Sequence, residues 1–277
     1  MTRIIMLTIV TMVAFAANSV LCRLALSHSA IDPASFTFVR LASGAMALWL
    51  FCTVIGKRGR GGSWKGAITL IIYAIAFSLA YVTLPAGTGA LLLFGTVQVT
   101  MIATGFAKGE RLSIGQWIGL AAAMAGLVVL VAPGVSAPPP LGAALMVLSG
   151  VFWGIYSLQG RGSGDPAATT AGNFLRAAPL ALLPMAAMAG QLSIDAPGTL
   201  YAALSGVLAS GCGYIVWYSV LPRLSAAQGA SVQLSVPVIA ALGGALLMGE
   251  ALTMRLGIAA IATLGGIALV IAGRRRL

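Results

Sequence analysis

Ten long apolar runs fill most of the sequence and constrain its fold more than any other feature. Each run holds roughly the 20 residues that a helix needs to cross the hydrocarbon core of a bilayer. The composition agrees, because 60% of the residues are hydrophobic and 8% are charged, whereas a soluble domain carries roughly 25% charged residues. The sequence therefore predicts an all-α integral membrane protein with ten transmembrane helices, surrounded by the lipid bilayer. The predicted helices 1 to 10 cover approximately residues 4–24, 34–55, 65–83, 86–107, 113–132, 139–159, 167–190, 197–221, 226–248 and 253–272.

The basic residues lie in short links between the apolar runs, so the net charge of +11 does not indicate a nucleic-acid partner. Lys and Arg concentrate in the cytoplasmic loops of membrane proteins. With the N-terminus inside, the inner links and termini hold twelve Lys and Arg residues, while the outer links hold Arg255 and, at a helix boundary, Arg23. This bias predicts that both termini are cytoplasmic.

The two halves of the chain repeat each other in order. Asp32-Pro33-Ala34 and Asp165-Pro166-Ala167 each place a capping aspartate before a proline at a helix start. Further matched pairs are Arg40 with Arg176, Tyr81–Pro85 with Tyr218–Pro222, and Ala86, Gly89, Ala90, Gly109, Glu110, Leu112, Gly126 and Ala132 with the residues 140 positions later. Because five helices are an odd number, the second repeat, 136–277, has the opposite topology to the first, 1–135. Such inverted repeats are typical of transporters that work by alternating access.

A Gly-Glu-x-Leu-Ser/Thr motif ends predicted helices 4 and 9, at Gly109-Glu110 and Gly249-Glu250. With the five-plus-five arrangement, it makes the whole chain resemble the drug/metabolite transporter superfamily. Within it, the chain resembles the ten-helix EamA-type metabolite exporters and is similar to bacterial aromatic amino acid exporters. Pro237 lies 13 residues before Glu250, as in the family pattern, whereas Val97 takes that place in the first half.

This resemblance implies export across the bacterial inner membrane through a central cavity lined by helices 1, 3, 4, 6, 8 and 9. Polar and aromatic residues in these helices are the candidate substrate-binding residues, since polar side chains at depth usually face a cavity or another helix. Tyr214, Trp217 and Tyr218 share one helix face, as do Tyr73, Phe77 and Tyr81, and two such stripes could enclose an aromatic substrate. Packing, or a belt at the membrane interface, is the alternative interpretation. The candidates are Asn18, Tyr73, Phe77, Tyr81, Gln98, Trp153, Tyr156, Ser157, Tyr214, Trp217, Tyr218 and Gln233.

Pro237 is predicted at mid-helix, where it would break a hydrogen bond to the Gln233 carbonyl and act as a hinge or a binding spot. A static kink is the alternative. Glu110 and Glu250 are interpreted as helix-junction residues that bond to free N–H groups of the following helix. Arg40 and Arg176 are expected to be mainly structural, although a gating role is open.

Asp32, Glu110, Asp165, Asp195 and Glu250 are the acidic residues, and none lies at mid-helix. Proton-coupled transporters usually keep an ionisable relay at depth, so the sequence favours uncoupled, facilitated export of aromatic or large neutral amino acids. The alternatives are a proton-coupled antiporter of the same fold and an exporter of other small metabolites or drugs. A membrane enzyme would need clustered His, Asp or Glu, and a passive channel has less use for inverted repeats.

No cofactor or metal is predicted, because the cysteines at 22, 52 and 212 are far apart and no nucleotide-binding motif is present. Ten helices suffice for a complete pathway, so we expect a monomer. Small-residue pairs, Gly115 with Gly119 and Gly150 with Gly154, are expected to allow close helix packing.

Overall fold

The computed structural model describes residues 2–56, 61–107, 109, 111–160, 164–220, 223 and 232–273. The first half of the chain forms α1 (Thr2–His28), α2 (Pro33–Val54), α3 (Trp64–Tyr81), α4 (Ala86–Ala107) and α5 (Ile114–Val131). The second half forms α6 (Pro140–Gly160), α7 (Pro166–Leu180), α8 (Leu182–Ala187), a 3₁₀ turn (Ala189–Gln191), α9 (Ala196–Leu204), a π-helix (Ser205–Cys212), α10 (Gly213–Val220), α11 (Ser235–Met248) and α12 (Met254–Gly273).

The prediction of an all-α membrane protein is confirmed. Among the described residues, eight helical stretches are long and apolar enough to cross a membrane, with α9, the π-helix and most of α10 forming one stretch. The ninth predicted helix, 226–248, is described from residue 232, so α11 has 14 residues. Its expected beginning lies outside the described residues.

The seventh predicted helix, 167–190, is shorter than expected because α7 ends at Leu180 and α8 begins at Leu182. Pro184 has no N–H to donate to the carbonyl of Leu180 four residues earlier, so the regular hydrogen-bond pattern fails at this point. The expectation of one continuous helix is therefore wrong here.

Asp32 caps α2 and also connects two loops. Its Oδ1 accepts the N–H groups of Ala34 at 2.9 Å and Ser35 at 3.0 Å, and its Oδ2 accepts the N–H of Ser193 at 3.0 Å. Burial raises the pKa of Asp32, but the hydrogen bonds from Ser35, Ser193 and Ala34 outweigh burial and leave that pKa below its ordinary value.

Asp195 makes the reciprocal connection between the same two loops. Its Oδ1 caps α9 through Gly198 N at 3.1 Å, and its Oδ2 accepts the N–H of Ala30 at 3.1 Å. The loop between α1 and α2 is thus held to the loop before α9 from both sides.

The main contacts between helices are symmetric between the two halves of the chain. Each of these contacts in one half has an equivalent in the other. α5 packs against α12, and α2 packs against α7. α1 contacts α11 and α10, just as α6 contacts α4 and α3. This is the pattern that a pseudo-two-fold axis between two inverted five-helix repeats produces.

Glycines make two of these contacts close. Gly150 and Gly154 on α6 face α4, and Gly119 on α5 faces the carbonyl of Gly266 on α12. A Cβ at Gly115 would meet no described atom within 4 Å, so a close helix contact does not require glycine at this position, contrary to expectation.

Candidate substrate-binding site

A small cavity lies at the centre of the bundle, between α1, α3, α4, α6, the π-helix and α10. Its volume is about 10 Å³, room for about one water molecule. The surrounding side chains therefore close the cavity in this conformation. It is lined by Phe15, Asn18, Ser19, Tyr73, Leu93, Phe94, Trp153, Ala209 and Tyr214.

Aromatic rings on α1, α3, α6 and α10 line this cavity. The ring of Trp153 on α6 lies between Tyr73 on α3, at 4.8 Å between centroids, and Tyr214 on α10, at 5.2 Å. Phe15 on α1 contacts Tyr214 edge-on at 5.9 Å. The two predicted aromatic stripes thus meet through Trp153. Such rings offer flat apolar faces on which an apolar or aromatic ligand can stack.

A chain of hydrogen bonds forms the polar side of the cavity. Asn18 Nδ2 donates to the Tyr73 hydroxyl at 3.3 Å, and Ser205 Oγ donates to Asn18 Oδ1 at 2.6 Å. All three side chains are buried, and they belong to α1, α3 and the π-helix. The Ser19 hydroxyl also lines the cavity and makes no hydrogen bond of ordinary geometry.

Arg40 extends this chain into α2. Its Nη2 donates to the Tyr73 hydroxyl at 3.0 Å, and its Nε donates to Ser210 Oγ at 3.4 Å. The residue is 1% exposed, and its guanidinium lies 5.0 Å from the ring centre of Phe77. Nη1 is buried without a hydrogen-bond partner. In the described part of the chain, no carboxylate forms an ion pair with Arg40.

The π-helix places the two serines on this network. Ser205 and Ser210 are five residues apart, which is the hydrogen-bond spacing of a π-helix. Gly206 allows the close approach to α2, because a Cβ there would overlap the carbonyl oxygen of Arg40 and the hydroxyl of Ser43. Sequence reasoning assigned Arg40 a structural role and missed both serines. The available signal was an arginine inside an apolar helix with no acidic partner at depth.

Other candidate residues surround the cavity without lining it. Phe77 is fully buried beneath Arg40. Trp217 packs edge-on against Phe15 at 5.9 Å. Gln98 is buried on α4, four residues after Phe94 and hence on the same helix face.

Three further candidates make contacts within or between helices and do not line the cavity. Tyr156 stacks on Trp153 at 5.5 Å, and its hydroxyl accepts from Asn173 Nδ2 at 3.3 Å. Ser157 donates to the Trp153 carbonyl of its own helix at 2.7 Å. Tyr81 is the last residue of α3 and does not line the cavity, and its hydroxyl lies 3.4 Å from the carbonyl oxygen of Ala86.

In the described residues Pro237 lies near the start of α11, whereas residues 226–231 of the predicted helix lie outside the described part of the chain. A turn at Leu234 ends the preceding helical residues, and α11 begins at Ser235. Pro237 therefore lies in the first turn, where its missing N–H removes no intrahelical bond. It lines a separate apolar cavity of about 400 Å³ between α4, α11 and α12. Gln233 lies half-buried before this turn, and the side chain of Tyr218 is outside the described part of the chain.

Glu250 joins α1, α4 and the end of α11. Its Oε1 pairs with Arg23 Nε at 2.9 Å, and its Oε2 accepts the N–H of Ala86, the first residue of α4, at 2.7 Å. Arg23 Nη1 also donates to the carbonyls of Tyr81 and Val82. Glu250 thus accepts a hydrogen bond from the start of α4, which lies in the other half of the chain. The sequence had suggested that it would bind the helix that follows it. Its counterpart at position 110 lies outside the described residues.

Comparisons with known proteins identify relatives of this chain and its fold. The sequence model of the EamA-like transporter family matches residues 2–132 and 140–272. An uncharacterized protein of Pseudomonas aeruginosa is 57% identical over 275 residues, 98% of this chain and 96% of that protein. A "probable terminal-alkyne amino-acid exporter" of Streptantibioticus cattleyicolor is 27% identical over 192 residues, 67% of this chain and 64% of that protein. A protein known from its crystal structure shares the fold, with a TM-score of 0.68 and 21% identity over 96% of this chain and 97% of that chain.

Proposed function

The chain belongs to the EamA-like transporter family, and we propose that it is a secondary transporter that exports aromatic or large neutral amino acids by alternating access. The observation that carries this proposal is the central cavity, where the rings of Tyr73, Trp153 and Tyr214 meet the amide of Asn18. Stacked rings suit a large apolar side chain, and the amide and hydroxyl groups suit the polar end of an amino acid. The relative from Streptantibioticus cattleyicolor, named as an amino-acid exporter, supports the same class of substrate.

We further propose that transport is uncoupled. The described carboxylates Asp32, Asp165, Asp195 and Glu250 lie at helix starts or junctions, where backbone N–H groups or Arg23 bind them. A proton relay would need an ionisable group beside the cavity, and no described carboxylate lines it. In this proposal the protein works as a monomer in the bacterial inner membrane, with both termini cytoplasmic.

Flux into liposomes that hold the purified protein tests the proposal. Labelled phenylalanine, tryptophan, methionine and threonine are supplied with and without a pH gradient. We expect saturable flux of the large side chains without a gradient. Trp153→Ala should reduce this flux by roughly tenfold or more, since a buried aromatic contact of this kind often contributes that much. Trp117→Ala is the matched control, because Trp117 is half exposed on α5, a helix that does not line the cavity.

Two outcomes would count against the proposal in different ways. Flux that requires the gradient would replace uncoupled transport with the proton-coupled alternative. Flux of other metabolites or drugs, with none for any amino acid, would retain a transporter and replace its substrate class.

A further inference from the structure

We propose that Arg40 binds the carboxylate of the transported molecule, so that the site selects aromatic carboxylates and rejects the corresponding amides and amines. The inference deepens the proposed function, and it rests on that function only in taking the central cavity as the substrate site. It assigns to Arg40 a specific ligand chemistry that the purely structural interpretation does not.

The depth of Arg40 in the bundle makes its positive charge energetically costly if the residue has only a structural role. It is the eighth residue of α2, so it lies roughly 10 Å along a membrane-spanning helix at 1.5 Å per residue. At 1% exposure, the guanidinium does not reach water at either end of the helix. A charged group this deep is an expensive feature that usually serves a substrate or ion pathway.

The surroundings of Arg40 supply hydroxyls and aromatic faces but no anion. Its partners are the hydroxyls of Tyr73 and Ser210, and its guanidinium also lies 5.3 Å from the ring centre of Tyr73. Each described carboxylate is engaged at a helix start or junction elsewhere. The positive charge is therefore uncompensated among the described residues, and an anionic ligand would supply the missing partner.

Two hydrogen-bond donors beside Tyr73 are available to a ligand. The Tyr73 oxygen accepts from both Arg40 and Asn18, which leaves its own proton to be donated to another group. Nη1 of Arg40 has no partner and is the second available donor. When the cavity expands to admit a ligand, a carboxylate that takes the place of the Tyr73 hydroxyl can bind Nη1 and Nη2 together. The fork geometry of a guanidinium matches a carboxylate in this way.

The second half of the chain does not repeat this feature. Asn173 follows Asp165 by the same eight residues that separate Arg40 from Asp32. Its side chain is neutral and binds Ser63 N at 2.8 Å. Arg176, one turn further along α7, donates to the carbonyls of Gly61 and Gly172. The charge thus lies on the α2 side, which orients a ligand with its carboxylate at Arg40.

The aromatic end of the ligand would then lie against Trp153 and Tyr214. These rings are on α6 and α10, and they line the cavity together with Tyr73, whose hydroxyl Arg40 contacts. A single ligand can therefore contact the guanidinium with one end and both rings with the other.

Binding of matched analogues to the purified protein tests the proposal. Dissociation constants are measured by calorimetry for phenylalanine, 3-phenylpropionate, phenylalanine amide and phenethylamine. We expect both carboxylates to bind about 10- to 100-fold more tightly than the amide or amine, which is the usual effect of a charge-assisted hydrogen-bond pair. Arg40→Gln should reduce this ratio to about threefold or less, and Arg40→Lys should retain part of it because it keeps the charge without the fork.

Arg176→Gln is the matched control, since it removes a cation from the equivalent helix and should leave the ratio unchanged. A merely structural role for Arg40 would weaken all four ligands equally, so the ratio separates the two roles. If Arg40→Gln does not fold, the wild-type protein alone decides, because equal affinity for phenylalanine and its amide overturns the proposal.

The outcomes distinguish this inference from the proposed function. Amino acid binding with no preference for the carboxylate would leave amino acid export standing and overturn the role of Arg40. Arg40-dependent binding of 3-phenylpropionate without binding of amino acids would do the reverse. Binding of none of the four compounds would overturn both.

Discussion

Replacement of Glu250 by alanine is expected to lower the free energy of unfolding by about 3 kcal/mol. The carboxylate of Glu250 accepts hydrogen bonds from Arg23 Nε at 2.9 Å and from the Ala86 N–H at 2.7 Å. A hydrogen bond to a charged partner contributes about 1.5–3 kcal/mol, and loss of a helix-start acceptor costs about 1 kcal/mol. The side chains of Arg23 and Glu250 are 19% and 13% exposed, so water screens their attraction only in part.

The remaining contacts of Arg23 set an upper limit on this loss. Its Nη1 still donates to the carbonyls of Tyr81 and Val82 after Glu250 is removed. The guanidinium is therefore not left without partners, and the cost should stay below the roughly 5 kcal/mol seen when a fully buried pair is broken. Glu250→Gln keeps an oxygen for the Ala86 N–H and should cost about 1.5–2 kcal/mol.

A double-mutant cycle with Arg23→Gln and Glu250→Gln measures the coupling directly. Reversible unfolding of each variant is followed by circular dichroism in mixed detergent micelles. We expect a coupling of about 1.5 kcal/mol, in the middle of the range for residues in contact. A coupling below about 0.5 kcal/mol would refute the reasoning, because Glu250 would then act through its contact with α4 alone.

Three further predictions concern stability, measured by the same unfolding assay. Gly206→Ala should cost about 1–3 kcal/mol through overpacking, since its Cβ would overlap the carbonyl of Arg40; an unchanged midpoint would contradict the close contact. Gly115→Ala should be neutral or stabilise by up to about 1 kcal/mol, because Gly115 is helical and faces open space; a marked loss would indicate a hidden neighbour. The depressed pKa of Asp32 contributes stability that is present above its unfolded pKa of about 4 and is lost as the pH falls through the folded value. Asp32→Asn should flatten this acid dependence, and an unchanged slope below pH 4 would show that another group is responsible.

Hydropathy predicted where most membrane-spanning helices lie, but it did not predict where helices are interrupted. The apolar runs predicted the positions of α1 to α6 and α12 because length and composition alone determine whether a helix can cross a bilayer. The end of α7 near Pro184 and the turn at Leu234 depend on local hydrogen bonds that hydropathy does not record. For that reason Pro237 was expected at mid-helix, although it lies in the first turn of α11.

The candidate site was predictable in its aromatic part and not in its charged part. Tyr73, Trp153 and Tyr214 stood out because their helices and spacing placed them on inward faces. Arg40 was assigned a structural role because a lone arginine in an apolar helix often snorkels to the interface. Only the fold shows that Arg40 is buried beside Tyr73, with Ser210 reaching it from a π-helix that no spacing rule indicates.

The described contacts at the two ends of α3 differ chemically, although the repeats are related by symmetry. At the C-terminal end of α3, Arg23 donates to the carbonyl of Tyr81 and forms an ion pair with Glu250. At the other end of α3, Ser63 donates its N–H to the neutral amide of Asn173. Arg176 donates to the carbonyl of Gly61 at the same end, with no carboxylate in either contact. An ion pair between partly exposed groups weakens with salt, whereas a neutral hydrogen bond is much less sensitive. In the proposed alternating access, opening at either end would break one of these contacts, so we expect the two open states to be unequally populated and their ratio to change with salt.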